Sequence, residues 1–127
     1  MSSVSFHKKR IEDCLRKNIQ INEREAQIEA EYILRFALKK PSSFFISNQK
    51  FKINKILEEF ISSILKKRIK REPLAYIFNE WDFYGETFYL DKNSLIPRQD
   101  TELIIDLVIK QFDKESKLNI LDLGTGS

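Results

Sequence analysis

Leu118-Asn119-Ile120-Leu121-Asp122-Leu123-Gly124-Thr125-Gly126-Ser127 is the stretch that decides the fold. Its apolar run reads as a buried strand, which ends in an acid and passes into Gly-Thr-Gly. In an open α/β sheet, ligands sit beyond the carboxyl ends of the strands, and glycine there lets backbone approach a ligand closely. On this reading the stretch opens a cofactor site. A tight turn after any strand fits the same residues, because Gly-x-Gly alone is a weak signal. The full dinucleotide pattern needs a third glycine and a later ribose-binding acid, and neither follows in this sequence. One strand by itself would leave an open edge and an unfinished core. The expectation is therefore a chain cut short of its own domain, with its last helix and strand lacking packing partners.

Working outward, the 127 residues suffice for one ordinary domain, or a small domain plus a fragment. An apolar fraction of 42% supports a core, and only 3 glycines and 3 prolines argue for long helices with few tight turns. The net charge of +3 is mild and demands no nucleic-acid partner. Cys14 is the only cysteine, which excludes an intramolecular disulfide and a multi-cysteine zinc site. It lies in a helical pattern and reads as a buried structural thiol. His7 is the only histidine, so no His-rich metal site and no Ser-His-Asp arrangement is available, and it reads as an exposed helix residue. No metal site is expected. No apolar run approaches the roughly 18 to 20 residues of a membrane span, and the amino end has no apolar signal core. The chain reads as cytoplasmic.

A first helix is expected from about Ser3 to Lys17, with Val4, Ile11, Cys14 and Leu15 at helical spacing. Asn22 and Glu25 form a capping-box pattern ahead of a second helix, whose stripe is Ala26, Ala30, Ile33, Leu34, Ala37 and Leu38. Pro41-Ser42-Ser43 begins a short helical turn, and Phe44, Phe45 and Phe51 fill the gap between helices. Asn54 caps a third helix to about Arg71, with Ile56, Leu57, Phe60, Ile61, Ile64, Leu65 and Ile69 on its apolar face. Lys66, Lys67, Arg68, Lys70 and Arg71 crowd its end, where the dipole favours cations. A phosphate-facing patch is the sharper reading of these cations, but no groove-reading motif accompanies them. The three helices should form a bundle of about 70 residues. After Glu72-Pro73 comes aromatic, strand-like sequence from Tyr76 to Leu90. Gly85 divides it into a hairpin of Trp81 to Tyr84 and Thr87 to Leu90. A fourth helix, capped by Asp100 or Thr101, carries Leu103, Ile104, Leu107, Val108 and Phe112 up to the final strand.

The order of pieces is specific. A bundle is followed by Arg71-Glu-Pro-Leu-Ala-Tyr-Ile77, Trp81-Asp-Phe-Tyr-Gly85, Leu95-Ile-Pro-Arg-Gln-Asp-Thr-Glu102 and Leu121-Asp-Leu-Gly-Thr-Gly-Ser127. This resembles the amino-terminal part of the peptide chain release factor glutamine methyltransferases (the HemK/PrmC family), over essentially the whole chain. Leu-Asp-Leu-Gly-Thr-Gly fits many class I methyltransferases. The Glu-Pro-Leu-Ala-Tyr-Ile and Ile-Pro-Arg-x-Asp-Thr-Glu elements are far more specific to the family. Two positions depart from its pattern. Asn79 stands where the family has glycine, and asparagine tolerates positive φ. Gln99 replaces a second proline, which loosens that loop but leaves Arg98, Asp100 and Glu102 in place.

The resemblance implies a mainly α chain. Residues 1–72 would be a helical substrate-recognition bundle and 73–91 a β-hairpin linker. Residues 92–127 would begin a Rossmann-like class I methyltransferase α/β domain. It implies S-adenosylmethionine as cofactor, held here by Asp122, Gly124, Thr125 and Gly126, with Arg98 close to the pocket. A salt bridge from Arg98 to Asp100 or Glu102 is the structural alternative. It further implies translation release factors as partners, with methyl transfer to the side-chain amide of the glutamine in their Gly-Gly-Gln motif. An amide nitrogen is a poor nucleophile because its lone pair is delocalised. Catalysis then rests on positioning in a dry pocket, aided by acceptors that favour the charge developing on nitrogen. The family's Asn-Pro-Pro-Tyr acceptor motif is absent from these residues, so no catalytic residue is assigned and this chain alone is expected to be inactive. Two other readings remain open: a non-catalytic release-factor-binding domain, and a methyltransferase of the same architecture acting on nucleic-acid base amines. The mild charge favours the protein substrate.

Overall fold

The computed structural model describes residues 2–126; Met1 and Ser127, the latter part of the expected glycine loop, lie outside them. The chain is mainly helical with one two-stranded antiparallel hairpin. It divides into two compact units, Met1–Ile77 and Phe78–Ser127.

The first unit is the helical bundle. α1 spans Val4–Ile19, with the Ser3 hydroxyl accepting from Phe6 N–H at its start. Its next free N–H groups are satisfied by a neighbouring loop: Val4 N donates to Phe51 O and Ser5 N to Gln49 O. Val4, His7, Ile11, Leu15 and Ile19 form its buried stripe at three- and four-residue spacing. His7 is therefore buried, contrary to the exposed position expected for it, because it falls in register between Val4 and Ile11. Cys14 stands one position off the stripe and is only half-buried, which corrects the buried thiol.

α2 spans Glu23–Leu38 and opens with the expected capping box. Asn22 Oδ1 accepts from Glu25 N–H at 2.8 Å, while Glu25 Oε2 accepts from Asn22 N–H at 3.1 Å. Ala26, Ala30, Ile33, Leu34 and Ala37 are buried, and this small-residue face packs on both α1 and α4. The short α3, Ser42–Ser47, buries Phe45 beside Phe44, whose ring also meets Phe51 edge-on.

α4 spans Lys55–Arg68 behind the Asn54 cap. Only Ile61, Ile64 and Leu65 of its apolar face are buried; Ile56 and Phe60 stay exposed, so the face is narrower than its sequence suggests. The Arg68 guanidinium forms a two-pronged pair with Glu29 of α2, both contacts 2.8 Å. Arg71, at φ 70, ends the helix, and Glu72 N–H reaches back to Lys67 O.

The segment after Pro73 is helical, not extended. α5, Leu74–Phe78, receives both Tyr76 N–H and Ile77 N–H on the Pro73 carbonyl. The reason is the proline, which cannot continue α4 but whose fixed φ suits a helix start. Leu74 and Ala75 join the core, and Asn79, at φ 56, stops the helix in the left-handed conformation that asparagine tolerates.

In the second unit, β1 (Glu80–Phe83) and β2 (Glu86–Tyr89) pair in the register Glu80↔Tyr89 to Phe83↔Glu86. Tyr84 and Gly85 form the two-residue turn, both at positive φ (50 and 79), the geometry that matches strand twist. Asn79 closes the base through its carbonyl, which accepts from Leu90 N–H, and its Nδ2, which donates to Leu90 O. α6 spans Gln99–Gln111. Its cap position is Arg98, with no side-chain cap hydrogen bond, so neither Asp100 nor Thr101 caps it. Leu118–Leu121 does not form a strand. A strand is stabilised by a hydrogen-bonded neighbour, and none stands beside it among the described residues.

Candidate functional site

The expected cofactor segment is an exposed loop. Asp122, Gly124, Thr125 and Gly126 are all exposed. Gly124 and Gly126 lie at φ +78 and +79, and an added Cβ at either would meet no atom within 4 Å. What reserves these positions for glycine is thus backbone conformation, not crowding. Two left-handed glycines flanking Thr125 leave the backbone bare on its open side, and Asp122 presents a carboxylate at the loop's start. In type and conformation these residues fit a group with an amino acid moiety, which takes backbone N–H donors and a carboxylate.

Arg98 sits at the amino end of α6 with extended backbone and an exposed side chain. It forms no ion pair with Asp100 or Glu102. Glu102 serves another purpose: its Oε1 accepts from Tyr84 N–H at 2.7 Å. One helical turn on, Asp106 Oδ1 accepts from the Tyr84 hydroxyl at 2.9 Å. The hydrogen bond to Asp106, with partial burial and the charges of Asp106 and Glu102, raises the Tyr84 phenol above its ordinary pKa. The structure therefore joins the hairpin turn to α6. It brings no hydrogen bond or ion pair between Arg98 and the Asp122 loop. Sequence reasoning missed the Tyr84 cluster, although Glu102 and Asp106 at four-residue spacing were the available signal.

In the bundle, the notable polar pair is His7 and Glu58. His7 Nε2 lies 3.1 Å from Glu58 Oε1, and Nδ1 is buried with no hydrogen-bond partner among the described residues. Burial is the largest cause lowering the His7 pKa, with Arg10 adding to it and Glu58 opposing. Across the bundle surface, α1, α2 and α3 enclose a groove of about 580 Å³. Lys8, Lys9, Glu12 and Glu31 line it with Phe45 and Ile46, so it offers both charge signs around an apolar floor. Lys8 and Glu31 face each other across it at 3.9 Å. Among the described residues, no helix is long and apolar enough to cross a membrane.

Comparison with known proteins matches residues 9–78, from within α1 to the end of α5, to the family described as the PrmC N-terminal domain. The release factor glutamine methyltransferase of Coxiella burnetii is 34% identical over 101 residues, covering 80% of this chain and 36% of that protein. The protein of the same name in Fusobacterium nucleatum is 36% identical over 101 residues, 79% of this chain and 28% of its own. A bifunctional methyltransferase of Rickettsia bellii is 34% identical over 127 residues, 80% of this chain and 23% of its own. The chain thus spans between about a quarter and a third of the length of these relatives. With more than half its residues matched, and with the bundle, proline turn and hairpin in the expected order, the chain belongs to the PrmC N-terminal domain family.

Proposed function

We propose that this chain is the amino-terminal part of a release factor glutamine methyltransferase. The observation that carries the reading is its likeness, over about four fifths of its length, to proteins bearing that name. On this reading the whole enzyme methylates the side-chain amide of the glutamine in the Gly-Gly-Gln motif of translation release factors, in the cytoplasm. Residues 1–72 hold the release factor, 73–91 link, and 92–127 begin the catalytic domain.

Bound S-adenosylmethionine would supply an electrophilic methyl group. This chain's residues would hold and orient that group, with no acid–base step of their own. Gly124, Thr125 and Gly126 offer backbone N–H groups, and Asp122 offers a carboxylate toward an amino group. Arg98 stands at the rim. The charge-balanced groove of the bundle suits a folded protein surface better than a polyphosphate chain, which would call for one sign of charge.

The test is a chimera in which this chain replaces the matching part of the Coxiella burnetii relative. Incubated with a release factor and S-adenosylmethionine, it should add one methyl group to the Gly-Gly-Gln glutamine, located by peptide mass spectrometry. A chimera that folds and binds cofactor but leaves that glutamine unmodified contradicts the reading.

A further inference from the structure

Tyr84 occupies a position that its residue type disfavours. The first central residue of a two-residue hairpin turn adopts positive φ, and glycine, asparagine or aspartate usually stands there. Tyr84 is at φ 50. A bulky residue held in that region is strained unless its surroundings return something. Here they do. Its N–H and its hydroxyl reach two acids one turn apart on the same face of α6, Glu102 at 2.7 Å and Asp106 at 2.9 Å. The left-handed backbone leaves the N–H outside the ladder, which ends at the Phe83↔Glu86 pair, so that donor is available to the helix. Both acceptors are carboxylates, which strengthens each bond.

We infer that Tyr84 is a positioning residue: it pins the hairpin turn to the first two turns of α6 and so fixes the amino end of that helix, where Arg98 stands. The functional consequence rests on the proposal that Arg98 lies beside the cofactor. Among the described residues α6 has no other side-chain hydrogen bond to the hairpin. It carries no buried residue, and no side chain caps its start. Of its apolar side chains only Ile105 is half-buried, and Leu103, Ile104, Leu107, Val108 and Ile109 are exposed, so the two polar contacts are its main directional hold on the hairpin. Two bonds from one residue, separated by a helical turn, restrain both the position of the helix and its rotation about its own axis. One bond alone would leave that rotation free. The raised phenol pKa is consistent with this arrangement, because the neutral hydroxyl is the form that donates to Asp106.

The experiment measures backbone N–H residual dipolar couplings on the whole 127-residue chain. In the wild type, one alignment should fit the hairpin and α6 together. In Tyr84→Phe with Glu102→Ala, the two elements should need separate alignments, while Cα shifts report that α6 remains helical. Glu102→Gln keeps an acceptor for Tyr84 N–H and should retain the common alignment. If the double variant loses the helix, Tyr84→Phe alone decides: a poorer common fit supports the clamp, and an unchanged fit overturns it. Separate alignments in the wild type, or one shared alignment in the helical double variant, also overturn it. No cofactor enters the measurement, so its failure leaves the methyltransferase reading standing, and failure of the chimera leaves the clamp standing.

Discussion

His7 sits with 1% of its surface exposed, held through one ring nitrogen by Glu58 and bare at the other. With hydrogen on Nε2, the neutral ring donates to the carboxylate and leaves Nδ1 a lone pair. A second proton would bury an N–H at Nδ1 without an acceptor, which is costly. The sign follows from the lowered pKa. Below the ordinary value of 6.5 the unfolded chain takes up a proton that the folded chain refuses. This contribution to stability is therefore complete above that pH and is lost as pH falls from there toward the lowered folded value. Urea midpoints measured at stepped pH should fall across that interval, and His7→Leu should flatten this part of the curve. A wild-type midpoint that rises as pH falls would contradict the assignment. The sequence reading placed it in solvent for its polarity, although position 7 falls in the stripe of Val4 and Ile11. The orphaned nitrogen was not legible, since it depends on what α4 brings across.

At the scale of the element, the caps were readable because their chemistry is local. Asn22 and Glu25, three residues apart, satisfy each other's backbone N–H groups as their spacing predicts. Asn22→Ala should cost about 1 kcal/mol, read from chemical denaturation. A change within error would mean that water caps the helix equally well. The Arg68–Glu29 pair is less local. It joins α4 to α2 with both partners largely covered, at 16% and 20% side-chain exposure. Arg68→Ala should destabilise by about 2 kcal/mol, because it strands a half-buried carboxylate. Glu29→Gln should cost less, since the amide oxygen still accepts from the Arg68 guanidinium and the arginine stem stays packed. Equal costs would show that loss of the charge pair dominates, and a much larger cost for Arg68→Ala that packing of the arginine stem does. Sequence reading saw Arg68 as one of five helix-end cations, because its partner lies 39 residues away. Likewise α5 was read as strand from its aromatics. The Pro73 carbonyl, which gathers two N–H groups, decided otherwise. For Leu118–Leu121 the composition of a strand was legible, but forming one takes a neighbour to share hydrogen bonds.

For the whole molecule, the two units differ in what they bury. The bundle encloses Ile11, Leu15, Ile33, Ile53 and Ile61 completely, so its fold could be read from periodicity alone. α6 instead exposes Leu103, Ile104 and Leu107, each more than half uncovered. Such a face suits packing on a sheet, and we propose that the sheet of the methyltransferase domain covers it. A glycine turn was recognisable from Gly-Thr-Gly, and the two glycines do adopt left-handed backbone. The recognition role assigned to the bundle is the claim that stands or falls by itself. The measurement that tests it most directly is calorimetric titration of this chain with a bacterial release factor, with S-adenosylmethionine and a single-stranded oligonucleotide titrated separately. The account predicts saturable binding of the release factor, weakened by a charge reversal at Lys8 in the bundle groove, and no comparable heat from the oligonucleotide. Absence of binding to the release factor by the folded chain, with saturable binding of the oligonucleotide, would contradict it.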